Sequence, residues 1–190
     1  MAVCGSITAG IDVNCTDPLV AGANDRLILI NKSDIDSTTV DGSNPLLYTD
    51  IMLASGKVGY VFQGKNFSNS GDFSLERKDF GTAYPHKVKF HIFDNSPATK
   101  KQLDLLKDGL YVAIVENNYR GTGGNAAFEL YGIEVGLILN VHTRDTADDA
   151  KDAAHVLELG SGKYKEPHAV ATLYSTSYAV TKAIVDGLIV

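Results

Sequence analysis

Hydrophobic residues recur along the chain in short segments rich in β-branched and aromatic side chains, separated by clusters of Gly, Asn, Asp and Ser. In residues 87–92 every second side chain is apolar and the others are Lys or His, which predicts a strand with one buried and one solvated face within residues 87–93. Residues 110–115 are apolar throughout, which is typical of a central strand. The predicted strands are 26–31, 57–63, 87–93, 110–116, 127–131, 134–141, 155–159 and 169–174.

Two segments carry helix signals. In residues 97–108, Ser96 is a capping residue, Pro97 suits the first helical position, and Gly109 suits a left-handed C-terminal position. Leu103 and Leu106, with Leu105 as a third candidate, give this helix its apolar stripe.

The second helix begins near Thr176 or Ser177. It places Val180, Ile184 and Leu188 four residues apart on one face. The combined pattern predicts an α+β, β-rich fold, an antiparallel β-sandwich or barrel with one or two flanking helices.

The length of 190 residues favours a single domain, residues 1–190, because two separate cores would each be marginal. Two polar stretches without periodicity, about 34–44 and 67–72, are predicted as long loops. Compact domains rarely keep such loops without a use, so contact with a neighbouring molecule is one expected role and a mobile surface loop is the other.

Charge and apolar runs exclude some functions. The net charge of −6 is spread along the chain without a cluster of Lys and Arg, so we expect no sequence-specific nucleic-acid binding. No apolar run approaches the roughly 18 residues of a membrane helix, so no membrane partner is expected. Cys4 and Cys15 are the two cysteines, and free thiols are favoured over a disulfide between them.

The segment 121–125, with three glycines, has the composition of a phosphate-binding loop. A strand pattern follows it, however, whereas nucleotide fingerprints require a helix there. A hairpin connection is the better interpretation.

An acidic stretch, flanked by His142 and His155, holds the densest group of potential metal ligands. Its acidic members are Asp145, Asp148, Asp149 and Asp152. The spacing does not match a calcium-binding EF-hand, which favours a solvated loop or a short acidic helix start over adventitious calcium.

Catalytic signatures are also missing from the sequence. Gly160-Ser161-Gly162 lacks the Gly-x-Ser-x-Gly form of a nucleophile elbow and has the composition of a turn. His86, His91 and His168 lie in or beside predicted strands, where ordinary histidines are common. We therefore expect no enzyme activity, no cofactor and no metal. Several tyrosines are interface candidates. The nine are Tyr48, Tyr60, Tyr84, Tyr111, Tyr119, Tyr131, Tyr164, Tyr174 and Tyr178.

Residues 111–137, and the continuation over 144–169, resemble virion structural proteins of tailed bacteriophages that infect Bacteroides and its relatives. The resemblance implies a subunit that forms rings, either the stacked hexamers of a tail tube or the collar rings beneath the portal in crAss-like phages. It also implies a tail-tube-like β-sandwich, with other virion proteins of the tail, neck or portal as partners.

The function that follows is a non-catalytic subunit of a phage tail or neck, assembled in the host cytoplasm and located in the virion. Its homo-oligomeric ring would form a channel through which DNA passes. The alternative is a small β-sheet binding module for a glycan or protein ligand, and a hydrolase whose site is assembled only by folding ranks third.

Overall fold

The computed structural model describes residues 7, 9–11, 17–65, 67–79 and 81–189. Cys4 and Cys15, and with them the expectation of free thiols, lie outside the described residues. The strands are β1 Ala23–Asn31, β2 Ile35–Val40, β3 Leu47–Leu53, β4 Tyr60–Gln63, β5 Ser70–Phe73, β6 Glu76–Lys78, β7 Gly81–Ala83, β8 His86–Ile92, β9 Tyr111–Asn117, β10 Phe128–Tyr131, β11 Leu137–Thr143, β12 His155–Ser161 and β13 Ala171–Leu173. The helices are α1 Pro97–Leu105 and α2 Tyr178–Gly187.

The strands form a branched sheet. One layer has the order β2-β3-β13-β10-β9-β1-β4, and the other has the order β11-β12-β8-β5. The layers join where Leu137 of β11 pairs with Tyr111 of β9. Every ladder is antiparallel except that between β13 and β3, so the β-rich α+β fold is confirmed with a mixed sheet.

The central strands β1 and β9 are buried on both faces. Ile28 and Ile30 of β1 belong to one core cluster, whereas Leu27 and Leu29 belong to a second cluster. Because successive side chains of a strand point to opposite faces, the two clusters lie on opposite sides of the first layer. This double burial explains why residues 110–115 show no polar alternation.

Each helix covers one of the two clusters. Leu103 of α1, and Leu106 in the 3-10 turn that follows, pack with Val88 and Phe90 of β8 in the cluster between the layers. Val185 of α2 packs in the cluster on the outer side of the first layer. The sequence therefore predicted the stripe of α1 correctly, except that Leu105 is exposed.

The predicted ends of α1 are half right. The Ser96 side chain accepts a hydrogen bond from the Thr99 backbone N–H, and Pro97 is the first helical residue, as expected. Gly109 is not left-handed, because its φ and ψ are −91° and 166°. A Cβ at this position would overlap the Tyr111 hydroxyl. The glycine is needed for space.

The predicted face of α2 is right in part. Leu188 is buried as predicted and Ile184 is half-buried, whereas Val180 is exposed and Thr181 and Val185 are the buried residues of the helix. Thr181 is acceptable in the core because its hydroxyl donates to the Ser177 carbonyl and accepts from the Ser175 N–H. These local hydrogen bonds satisfy the polar group, so a threonine replaces an apolar residue on the buried face.

The loop predicted at 34–44 is wrong for most of its length, because β2 occupies Ile35–Val40. Its side chains are almost all exposed, so no hydrophobic alternation marks the strand. β3 was not predicted either, because its buried side chains do not alternate regularly. Thr49 is an extra residue in its ladder with β2, and this bulge brings Tyr48 and Ile51 into the same core although they are three residues apart.

The loop predicted at 67–72 is also wrong at its end, because β5 begins at Ser70 and pairs with β8. An exposed ribbon of β6 and β7 follows instead, and it lies outside the main sheet. In the part of the chain that the structure describes, no helix is long and apolar enough to cross a membrane.

Candidate interaction surface

A groove of about 650 Å³ lies between α1 and β4. Leu29, Phe62 and Leu103 form part of its floor, and all of its lining residues are uncharged. Two apolar side chains at the groove project into solvent, since Tyr60 is 52% exposed and Leu105 is 61% exposed. This combination of a concave apolar surface and exposed large side chains is typical of a binding or assembly site.

β4 borders this groove with an open backbone edge. Its residues pair with β1 on one side, over Arg26↔Gln63 to Leu29↔Tyr60. Just before the strand, the Gly59 N–H donates to the Leu188 carbonyl, so the end of α2 covers only the approach to β4. The free edge can therefore accept an additional strand beside the groove.

Three other strands of the described part of the chain also pair on one side only, if the separate β6–β7 ribbon is left aside. They are β2, β5 and, beyond Leu137, β11. Each of the two layers thus has, at both of its ends, a strand with one unpaired backbone edge. Open edges of this kind present rows of N–H and C=O groups that favour pairing with another chain.

A buried carboxylate lies near the junction between the two layers. Glu166 is 1% exposed and accepts hydrogen bonds from the backbone N–H groups of Glu134, Val135 and Gly136, at 3.2, 2.8 and 3.3 Å. These three residues were predicted to belong to a strand over 134–141. They form a turn instead because Glu166 takes their N–H groups, and β11 starts only at Leu137.

His86 lies near this carboxylate with both ring nitrogens engaged. Nδ1 accepts from the Gly132 N–H at 3.2 Å, so Nε2 carries the proton and donates to the His168 carbonyl at 3.1 Å. The Ser161 hydroxyl accepts from the backbone N–H of His86 rather than contacting its ring. The structure thus brings together a serine and a histidine that the sequence singled out, in contacts that hold chain segments together.

We expect His86 to make stability depend on pH. Burial lowers the pKa of His86 and outweighs the opposing effect of Glu166. Below about pH 6.5 the unfolded chain binds a proton that folded His86 does not, so the free energy of unfolding falls by up to about 1.4 kcal/mol per pH unit until the folded pKa is reached. Urea unfolding between pH 7.5 and 5.5, a range set by these pKa values, measures the slope.

His86→Gln should be less stable than the wild type at neutral pH but should lose less stability on acidification. His168→Gln makes the same chemical change at an exposed histidine and should keep the wild-type slope. Equal slopes for the wild type and His86→Gln would assign the pH dependence to other groups.

The acidic stretch forms a short 3-10 turn, Asp149–Lys151, that Asp148 caps. The Asp148 carboxylate pairs with Lys151 at 2.8 Å, and Asp152 pairs with Lys65. The stretch is therefore an exposed loop with one short 3-10 turn, and the structure does not separate the two interpretations favoured from the sequence. Among the described residues, no three His, Cys, Asp or Glu side chains are placed to hold a metal ion together.

The two histidines that flank this stretch do meet. His142 Nε2 lies 3.0 Å from His155 Nδ1, and His155 Nε2 lies 3.1 Å from Asn95 Oδ1. Burial is the main reason that the pKa of His155 is lowered, and the neighbouring His142 adds to it. His91, the remaining singled-out histidine, lies with Nδ1 2.8 Å from the Ser68 carbonyl.

The glycine-rich segment is a connection between two antiparallel strands, β9 and β10, as expected. Gly121 and Gly123 both have φ of 69°, a conformation that favours glycine, and Gly124 lies too close to Tyr178 for a side chain. Backbone geometry and packing therefore account for these glycines. No phosphate site is needed to explain them.

The structure reduces the set of tyrosines available for an interface. Tyr48, Tyr111 and Tyr131 are buried in the core, whereas Tyr60 and Tyr164 are the two with most of their surface exposed. Tyr60 belongs to the groove. The groove has no signal in the sequence, because β4 and α1 lie more than 30 residues apart and only the fold brings them together.

No protein-family model, curated protein or solved structure matches the chain.

Proposed function

We propose that this protein is a non-catalytic structural subunit that self-assembles into rings, and that the rings form part of a bacteriophage tail or neck. The observation that carries the proposal is the set of edge strands, each with one unpaired backbone edge, at the ends of both layers. A contact between two different edges is heterologous, and such a contact closes into a ring when its rotation divides a full turn. The resemblance of residues 111–137 to phage virion proteins supports the assignment to a virion.

The charge of the chain suits a channel for DNA. A net charge of −6 leaves no excess of Lys and Arg to bind phosphates, so DNA would pass through a ring of such subunits without being held. Other virion proteins of the tail, neck or portal would cover the two ends of the assembly. The virion is then the final location of the protein, after assembly in the host cytoplasm.

Negative-stain electron microscopy and analytical ultracentrifugation of the purified chain test the proposal. We expect ring-shaped particles of uniform diameter and a sedimenting species of many subunits, increasing with protein concentration. A chain that stays monomeric at high concentration and does not assemble with other virion proteins of the tail, neck or portal would overturn the proposal.

A small binding module is the second candidate function. The groove between α1 and β4 favours it, because about 650 Å³ lies within the range of small-ligand pockets. Its apolar, uncharged lining would suit an extended protein segment or the apolar face of a sugar. A monomer that binds a peptide or glycan from an array through this groove would support the module over the ring subunit.

A further inference from the structure

The sequence before β1 has the pattern of an amphipathic strand. Every second residue over 3–15 is apolar apart from Gly5, and most of the intervening residues are Ser, Thr, Asp, Asn or Gly. The apolar positions are Val3, Ile7, Ala9, Ile11, Val13 and Cys15. Asp12 is the one charged side chain in residues 1–16. Period-two alternation predicts a strand that buries one face, so residues 3–15 are called the arm below.

The arm residues that the structure describes do not pack on their own domain. Ile7 is 94% exposed and Ile11 is fully exposed. The chain between the arm and β1 lies beside the C-terminal end of β9, where the Asn118 N–H donates a hydrogen bond to the Gly22 carbonyl. An apolar face left in water is unfavourable by about 25 cal/mol per Å². Burial of this face of the arm against another apolar surface would therefore be favourable.

The free edge of β4 can provide backbone hydrogen bonds for the arm, and the groove can provide apolar contacts for its side chains. A strand added to β4 would have its N–H and C=O groups satisfied by the edge, and alternate side chains would enter the groove beside Phe62 and Leu103. The groove has no charged lining residue, and the apolar side of the arm has none either. Tyr60 and Leu105 would be covered at the same time.

We propose that the arm of one copy pairs with β4 of the next copy and buries Ile7 and Ile11 in the groove between β4 and α1. This inference rests on the proposed self-assembly and identifies its contact. About ten residues separate Ile7 from Asp17, so the extended chain spans up to about 33 Å, enough to reach a neighbouring subunit. Because arm and groove are different surfaces, each copy donates one and accepts one, as a closed ring requires.

Charge substitutions in the full-length chain test the contact. In Ile7→Asp/Ile11→Asp, two carboxylates would have to enter the apolar groove, so we expect loss of the high-mass species in ultracentrifugation. Ser6→Asp/Thr8→Asp adds the same charge to the opposite side of the arm and should assemble like the wild type. Because Ile7 and Ile11 are exposed, the circular dichroism of Ile7→Asp/Ile11→Asp should equal that of the wild type, and the same measurement on Ser6→Asp/Thr8→Asp is the folding control.

The groove is tested in the same way. Leu105→Asp should also abolish the high-mass species, whereas Val180→Asp, at an exposed position on α2, should not. Hydrogen exchange adds a local readout. Backbone amides of β4 should be protected in concentrated wild-type protein and should exchange freely in Ile7→Asp/Ile11→Asp.

Cross-linking identifies which copy donates the arm. In a Cys4→Ser/Cys15→Ser background, a chain with Ala9→Cys is mixed with a differently tagged chain with Leu105→Cys, and a short bis-maleimide is added. We expect mixed dimers from this pair and none when Val180→Cys replaces Leu105→Cys. A third chain carries both Ala9→Cys and Leu105→Cys. If a cross-link forms within this chain and no mixed dimers form, the arm docks on its own groove, which would overturn exchange between copies.

The outcomes separate this inference from the proposed function. If the wild type and Ile7→Asp/Ile11→Asp form the same rings, the arm contact is wrong and the ring function stands. If the wild type forms only small cross-linked oligomers, the arm contact stands and the ring function is wrong. A monomeric wild type with freely exchanging β4 amides and no mixed dimers would overturn both.

Discussion

Replacing Leu106 with alanine is expected to lower the free energy of unfolding by about 2–5 kcal/mol, the range for truncating a buried leucine. Leu106 is 6% exposed and lies in the turn after α1, where it packs in the core between the two layers with Phe90. The loss combines the transfer of the side chain from water with the cavity left behind. Urea unfolding of both proteins at neutral pH measures it.

Leu105→Ala is the matched control, because the same truncation occurs one residue earlier on an exposed side chain. It should change the free energy of unfolding by less than about 0.5 kcal/mol, as is usual for surface positions. A loss below about 0.5 kcal/mol for Leu106→Ala would mean that α1 does not pack on the sheet through this residue. The packing described above would then be wrong.

Replacing Glu166 with alanine is expected to lower the free energy of unfolding by at least about 1.5 kcal/mol, the lower end of the range for a hydrogen bond to a charged group. Three backbone N–H groups lose their acceptor: that of Gly136 is buried, whereas the hydrogen bonds of Glu134 and Val135 are partly buried. The turn over 132–136 connects β10 to β11, so its loosening should also disturb the junction between the layers. Hydrogen exchange of the three amides should accelerate accordingly.

Glu158→Ala provides the control for charge removal. Its carboxylate pairs with Lys89 at 3.6 Å and Lys87 at 4.0 Å, both partly exposed, and such surface pairs contribute about 0–1 kcal/mol. Its loss should therefore be small. If Glu166→Ala were no more destabilising than Glu158→Ala, the carboxylate would not be what holds the turn.

The position of the open edges also changes how assembly should be probed. Deleting residues 37–43 would remove most of β2 and leave the edge of β3 unpaired. A loss of assembly in that deletion could reflect a damaged sheet. Single substitutions at exposed positions such as Leu105 keep the sheet intact and report on the contact itself.

The sequence by itself determined those elements whose hydrophobic pattern has a local cause. Residues 87–92 alternate because β8 has one buried and one solvated face, and residues 97–108 show a cap, a proline and a leucine stripe. The β-rich class with two helices follows from these local signals. The hairpin around Gly121 and Gly123 also follows, since strands flank the glycines on both sides.

The tertiary structure alone decided the features that depend on distant partners. β2 is defined by backbone bonds to β3 rather than by buried side chains, and the turn at 134–136 is defined by Glu166, some 30 residues away. The same holds for the groove, which needs α1 beside β4, and for the open edges, which depend on strand order. Strand order and open edges depend on residues far apart in the chain, so local periodicity does not reveal them.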